Sequence, residues 1–100
     1  MVMGDFNAYS PFDADWVETH AQLIENMQKW DAEQETYRNM RDGRLDYSVL
    51  SQFLSIGLTD ICRLYVPADK RTTFPAAFLY GWQHGDTRLH GIGERLDYIL

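Results

Sequence analysis

Two polar residues near the start of the chain have the types and the spacing of a phosphoester-cleaving site. Asp5 and Asn7 flank Phe6, so in an extended segment they point to one side while Phe6 points to the other, toward a core. A carboxylate can orient and deprotonate water or hold a cation, and an amide can donate to a phosphoryl oxygen whose charge grows in the transition state. Asp and Asn are also ordinary turn residues, so the spacing alone leaves a structural turn open.

The composition and charge of the chain limit the functions it can have. Its 100 residues suffice for one small domain, and 45% hydrophobic with 24% charged residues is a globular composition. Residues 1–37 hold eight acidic residues and one basic residue, whereas residues 38–100 hold seven acidic and eight basic ones, for a net charge of −6. Binding of nucleic acid by charge alone needs a basic surface. Action on phosphoesters would therefore need a bound cation to neutralise the substrate locally.

The sequence shows no sign of a membrane or of an oxidising compartment. No apolar run is long enough to cross a bilayer, no secretion leader is visible, and the single Cys62 cannot form an internal disulfide. A cytoplasmic location is therefore expected.

Hydrophobic periodicity predicts the elements that must position the polar pair. A helix is expected from about Asp15 to Arg38, where Trp16 and Trp30 belong to an apolar stripe more typical of a core than of a binding platform. This helical segment could still shape the rim of a substrate site. A second helix is expected between a capping Asp46 and Gly57. Short strands are expected at Met1 to Met3, Leu58 to Tyr65, Thr72 to Phe74 and Glu94 to Leu100, with a loop from Tyr80 to Gly93.

Motifs at the two ends of the chain carry a resemblance to a known family. The segment Gly4-Asp5-Phe6-Asn7, followed much later by Arg95-Leu96-Asp97-Tyr98-Ile99-Leu100, resembles the endonuclease/exonuclease/phosphatase superfamily, which has the fold of pancreatic deoxyribonuclease. The segments Gly57 to Arg63 and Thr72 to Pro75 are similar to elements that the family has between these motifs. The resemblance implies an α+β fold that is part of a four-layer α/β-sandwich, in which two packed β-sheets are flanked by helices. This chain would hold its C-terminal portion, with about two helices and three to four strands.

The resemblance implies a role for each matching residue. Asp5 corresponds to the carboxylate that orients or activates the attacking water, and Asn7 to the amide that contacts the scissile phosphate. Asp97 corresponds to the aspartate that orients a catalytic histidine. Asp60 and Thr73 match supporting positions. The cofactor implied is Mg²⁺ or Mn²⁺, with Asp5 and Asn7 as candidate ligands.

The chain also departs from the family pattern. The glutamate that anchors the metal comes from an earlier strand of the family, and the Ser-Asp-His element that supplies the histidine should follow shortly after Leu100. Residues 1–100 are therefore expected to be a single partial domain, truncated at both ends and inactive in isolation. A complementing chain that carries the missing half is a possible partner, and the substrate would be a phosphoester, with nucleic acid among the candidates.

Two interpretations stay open at the level of the sequence. Arg88 and His90 lie in the loop before the last motif and are candidates for contacts with substrate, although an ordinary solvated loop is the more common explanation for such residues. The whole chain could instead be a small acidic, non-catalytic α+β interaction module that folds alone and only happens to carry Asp-x-Asn.

Overall fold

The chain folds into an α+β structure of short helices and two-stranded antiparallel sheets. The computed structural model describes residues 1–36, 38–74 and 94–100. In these ranges the strands are β1 (Met3–Asp5), β2 (Met40–Arg41), β3 (Arg44–Leu45) and β4 (Asp97–Ile99). The helices are α1 (Ala14–Val17), α2 (Ala21–Glu33), α3 (Ser48–Ser55) and α4 (Ile61–Tyr65), and 3-10 turns lie at Pro11–Asp13 and Ala68–Lys70.

The two ends of the chain meet in a β-ribbon. β1 and β4 pair antiparallel, with Met3 opposite Ile99, Gly4 opposite Tyr98 and Asp5 opposite Asp97. Side chains alternate between the faces of a ribbon, and here Tyr98 is buried while Asp97 and Ile99 are exposed. The buried face forms one of two hydrophobic clusters, whose members are Ala8, Leu50, Tyr98 and Leu100, joined by Phe6, Phe53 and Leu58.

The second hydrophobic cluster joins α2 to the hairpin β2–β3. Its buried members are Tyr9, Val17, Leu23, Met27 and Leu45. Asp42 and Gly43, at the hairpin turn, have φ values of 52° and 81°. Two consecutive positive φ angles are typical of a type I′ turn, whose twist matches that of the strands it connects.

A buried ion-pair network of two aspartates and two arginines ties together distant parts of the chain. The Arg95 guanidinium donates to the two carboxylate oxygens of Asp60 at 3.0 and 2.6 Å and to Asp13 at 2.7 Å. Arg71 donates to the other oxygen of Asp13 at 2.7 Å. Each of the four side chains is 10% exposed or less. The opposite charges cancel, so the interior holds this network, defined by Asp13, Asp60, Arg71 and Arg95, without a net charge.

The helices differ from the predictions in two places. The segment from Asp15 to Arg38 is not one helix, because the chain leaves the helical path between Val17 and Ala21. Thr19 donates its hydroxyl to the Trp16 carbonyl at 2.6 Å, and such side-chain bonds compete with the helix ladder. The second of these helices, α2, ends at Glu33, which is earlier than the predicted end at about Arg38.

The strand predicted at Leu58 to Tyr65 is wrong, because α4 occupies most of that segment. Asp60 caps this helix by accepting the Arg63 amide hydrogen at 3.2 Å. The apolar side chains of Ile61, Leu64 and Tyr65 are exposed rather than buried.

The second helix agrees with the prediction, and the strands near the C-terminus agree with it in part. The second helix is confirmed as α3, and Gly57 follows it with φ of 95°, which favours glycine. Asp46 accepts the Ser48 amide hydrogen at 2.8 Å at the start of this helix. The predicted last strand is shorter than Glu94 to Leu100, and the predicted strand at Thr72 to Phe74 is reduced to one bridge between Phe74 and Glu94.

The class of the fold, α+β, is therefore confirmed, whereas the four-layer sandwich stays a prediction. No helix in the described parts of the chain is both long and apolar enough to cross a bilayer.

Candidate functional site

The two carboxylates predicted at opposite ends of the sequence lie side by side. Asp5 and Asp97 are directly opposite in the ribbon, and both are exposed. Val2 and Leu100 exchange both backbone hydrogen bonds, so by alternation Asp5 and Asp97 form a non-hydrogen-bonded pair. In such pairs the Cα atoms are only about 4.5 Å apart and the side chains are close. Two like charges directly opposite destabilise a ribbon unless a cation or a hydrogen-bond donor lies between them.

A tight turn holds Asn7 beside Asp5. The Asp5 Oδ1 atom accepts the Asn7 amide hydrogen at 2.8 Å, and Asn7 has a φ of 45°. Asparagine tolerates this left-handed conformation better than most residues. The Asp5 carboxylate therefore binds the Asn7 backbone in a turn, and the segment is not the extended strand that the spacing predicts. Phe6 does point to the core, where its ring contacts Phe53 and Tyr98 edge-on at 5.2 and 5.8 Å.

The outer edge of β4 is held by Thr73. Its hydroxyl oxygen accepts the amide hydrogens of Leu96 at 3.0 Å and of Asp97 at 3.2 Å. The Asp97 backbone is therefore fixed on one side by Thr73 and on the other by β1.

Behind Asp97, the buried ion-pair network and Tyr98 support the strand. The Tyr98 hydroxyl lies 3.0 Å from the Ala8 carbonyl and 2.9 Å from the Arg95 carbonyl, and the Arg95 guanidinium lies 4.4 Å from the Tyr98 ring centroid. Burial raises the pKa of Tyr98 above its ordinary value. Burial alone would lower the pKa of Arg95, but its hydrogen bonds to Asp60 and the charge of Asp13 raise it. Asp60 thus serves both this network and the cap of α4.

A cleft of about 610 Å³ opens next to the Asp5–Asn7 turn. Its wall combines polar residues from three parts of the chain with apolar and aromatic ones. The polar lining residues are Asp5, Asn7, Tyr9, Arg38, Asn39 and Glu94, and the others are Met27, Trp30, Phe74 and Leu96. Asp97 lies on the ribbon outside this lining.

Two groups in the cleft were missed by sequence reasoning. The Tyr9 hydroxyl donates to the buried Glu94 carboxylate at 2.8 Å, and burial together with the charge of Glu94 raises the pKa of Tyr9. Arg38 and Asn39 are held by Asp31 at the end of α2. Neither pairing has a sequence signal, since the partners in the first are 85 residues apart and those in the second lie on either side of the end of α2.

The ribbon carries oxygen donors of the type that hard divalent cations prefer. Mg²⁺ is commonly held by one or two carboxylates and keeps several waters, and Asp5, Asp97 and Asn7 offer oxygen atoms of this kind. In residues 1–36, 38–74 and 94–100 no group of three or more histidine, cysteine or acidic side chains could hold a metal. Arg88 and His90, the candidates for substrate contact, lie outside the described residues.

The chain was compared with family models, curated proteins and solved structures, and none of them matches it.

Proposed function

We propose that this chain is part of a Mg²⁺-dependent phosphoesterase domain of the nuclease or phosphatase type. The single observation that carries the proposal is the direct pairing of Asp5 with Asp97. Both residues belong to the two end motifs that carry the resemblance, and they are directly opposite in the ribbon, with Asn7 next to Asp5. An exposed pair of opposed carboxylates costs stability, so its presence at the edge of a cleft favours a role that uses the charge.

Each residue of the site has a distinct role in the proposed reaction. Asp5 holds the water that attacks phosphorus in line and takes its proton. Asn7 donates its amide hydrogens to a phosphoryl oxygen as charge accumulates there. Asp97 orients a histidine from a complementing segment, fixing the ring and steadying its charged form. A bound Mg²⁺, with Asp5 and Asn7 among its ligands, would neutralise phosphate charge.

The chain by itself is expected to show no significant turnover. Among the described residues, no side chain donates a hydrogen bond to the Asp97 carboxylate. Hydrolysis of bis(p-nitrophenyl) phosphate in Mg²⁺ measures this directly. Robust activity that Asp5→Ala abolishes would show that the chain is a complete enzyme and overturn this part of the proposal.

Mg²⁺ binding tests the site without requiring turnover. Without metal, Asp5→Asn should raise the melting temperature, because it removes a like-charge contact worth a few tenths of a kcal/mol or more, up to about 1 kcal/mol, while its side-chain oxygen can still accept the Asn7 amide hydrogen. Adding Mg²⁺ should raise the melting temperature of the wild-type chain and have little effect on Asp5→Asn. Asp69→Asn is the matched control, since Asp69 is an exposed aspartate with only a weak ion pair to Lys70. Equal Mg²⁺ responses in all three proteins would refute a cation site at the ribbon.

A second candidate is a small acidic interaction module that folds alone. The observation in its favour is the buried ion-pair network, whose charges cancel within this chain. A module of this kind gives one cooperative melt, and neither Asp5→Ala nor Asp97→Ala changes its response to Mg²⁺.

In a phosphoesterase domain, a complementing chain in the cytoplasm would instead cover the exposed face of the ribbon. Met3 and Ile99 on that face are 65% and 45% exposed. Light scattering during the melt separates the two candidates, since an uncovered apolar face favours aggregation.

A further inference from the structure

Tyr98 lies directly behind the opposed carboxylates, on the buried face of the ribbon. It is 2% exposed, whereas its neighbours Asp97 and Ile99 are exposed on the other face. Side chains alternate between the faces of a strand, so the Tyr98 ring points into the interior. Its partner across the ribbon is Gly4, which has no side chain on this face. Tyr98 can therefore affect the site only from behind, through the backbone and the rings that it contacts.

The Tyr98 hydroxyl joins the two segments that carry the site residues. It lies 3.0 Å from the carbonyl oxygen of Ala8, the residue that directly follows Asn7. It also lies 2.9 Å from the carbonyl oxygen of Arg95, two residues before Asp97. A phenol has a single hydrogen to donate, so one hydroxyl serves both carbonyls and holds them near the same atom. The start of β4 is thereby fixed relative to the turn at Asn7.

The aromatic ring of Tyr98 supports the same two segments. It contacts the Phe6 ring edge-on, with centroids 5.8 Å apart, and Phe6 lies between Asp5 and Asn7 in the sequence. The guanidinium of Arg95, which the buried ion-pair network fixes, lies 4.4 Å from the Tyr98 ring centroid. Burial raises the pKa of Tyr98, so its hydroxyl keeps the donor hydrogen at neutral pH.

Two unfavourable features of the site require support of this kind. Asn7 has a φ of 45°, in the left-handed region that most residues avoid, and Asp5 lies opposite the like charge of Asp97. Backbone strain persists only where the surrounding structure holds it in place, and it is concentrated at functional sites. The contacts of Tyr98 reach both features from the packed interior.

We infer that Tyr98 is a positioning residue, whose hydroxyl holds the Asn7 turn and the Asp97 carboxylate in the arrangement that the site uses. This rests on the proposed function, because it assigns to the same site the side chain that orders it. Loss of an outer-shell partner typically lowers metal affinity by about 10- to 100-fold. Misplacement of reacting groups by about 1 Å can lower a rate by about 100-fold.

Amide hydrogen exchange, followed by NMR in EDTA, tests this role without metal or catalysis. Tyr98→Phe removes the hydroxyl and keeps the ring. The amide hydrogens of Asn7 and Asp97 should then exchange about fivefold faster, the change expected from the loss of one hydrogen bond. The amide hydrogens of Asn39 and Met40, which Asp31 accepts at 2.8 and 2.7 Å elsewhere in the chain, should keep their exchange rates.

Tyr47→Phe is the matched control. It also removes one tyrosine hydroxyl, which donates to Glu18 at 2.9 Å, and Tyr47 packs against the other hydrophobic cluster. Exchange at Asn7 and Asp97 should be the same in this variant as in the wild type, and circular-dichroism melts check that both variants are folded.

Binding of Tb³⁺, followed by its luminescence, measures the consequence for the site. Tb³⁺ is a hard cation that takes oxygen ligands and replaces Mg²⁺ in this experiment. Tyr98→Phe should weaken Tb³⁺ binding about tenfold. Luminescence lifetimes in H₂O and D₂O should show more water on the bound ion, because fewer protein oxygens reach it. A merely structural loss of stability would not change this count.

The outcomes separate the role of Tyr98 from the proposed function. Unchanged exchange at Asn7 and Asp97, or equal acceleration at Asn39 and Met40, would mean that the hydroxyl contributes only to overall stability, and the inference would be wrong. Unchanged affinity and hydration of Tb³⁺ in Tyr98→Phe would also overturn it. Local acceleration in Tyr98→Phe, together with no Tb³⁺ binding by the wild type, would refute the cation site and leave Tyr98 as the residue that orders the turn.

Discussion

Removing one negative charge from the buried ion-pair network should destabilise the fold far more than breaking an exposed ion pair. In Asp60→Asn the amide can still cap α4, so the change isolates the charge. The network then holds one carboxylate and two guanidinium groups, and a net charge of +1 is buried at side chains that are 4–10% exposed. Breaking a buried pair in this way costs about 3–5 kcal/mol. For a chain of this size the melting temperature should fall by about 12 °C or more.

Urea denaturation followed by tryptophan fluorescence and circular dichroism measures this loss. Glu25→Gln is the control, because its i,i+4 pair with Lys29 has side chains that are 56% and 68% exposed and is worth about 0.3–0.5 kcal/mol. The decisive variant is the double change Asp60→Asn with Arg95→Met. It returns the network to neutrality, with Asp13 and Arg71 still paired, so it should be more stable than Asp60→Asn alone. A double variant that is less stable than the single one, or a loss below about 1 kcal/mol for Asp60→Asn, would refute the reasoning.

Two further predictions concern the ionisation of buried tyrosines and the turn at the site. Burial raises the pKa values of Tyr9 and Tyr98 above the ordinary value for tyrosine. Each tyrosine therefore contributes its full stabilisation below about pH 10, the pKa in the unfolded chain, and this contribution is lost as the pH rises further. The free energy of unfolding, measured between pH 8 and 11.5, should show this decline, and the decline should be shallower in Tyr9→Phe. An unchanged slope in Tyr9→Phe would mean that Tyr9 does not cause the decline. Asn7→Ala should cost about 1 kcal/mol because alanine resists a φ of 45°, whereas Asn7→Gly should cost only a few tenths. Equal losses of stability in the two variants, measured by urea denaturation, would mean that the side-chain amide of Asn7, and not its backbone conformation, governs the stability of this turn.

The parts of the fold that could be predicted from the sequence are those with a strong local signal. The helix α3 has an apolar stripe between Asp46 and Gly57, and both ends of it have the expected local chemistry. The segment Leu58 to Tyr65 was misassigned because its apolar residues are typical of a buried strand. Its conformation is set instead by Asp60, whose carboxylate caps a helix and binds Arg95, a residue 35 positions away. Single-sequence patterns contain no information about such a partner.

The residues of the candidate site also divide into those that a sequence motif indicates and those whose position depends on distant partners. The pairing of Asp5 with Asp97 could be anticipated only through the resemblance of the two end motifs, since 92 residues separate them and no local pattern connects them. Arg38 could not have been placed at the cleft, because its position depends on Asp31 at the end of a helix. Sequence-based reasoning found the residues with distinctive chemistry and missed those whose role comes from tertiary placement.

The buried ion-pair network also has a consequence for the order of folding events. Arg95 is 82 residues from Asp13 and 35 from Asp60, and the Tyr98 hydroxyl is 90 residues from its acceptor at Ala8. Before the segment that contains Arg95 is in place, collapse would bury two carboxylates with only Arg71 to balance them, which costs several kcal/mol. Docking of β4 should therefore coincide with the main folding barrier, and contacts of such large sequence separation slow that step.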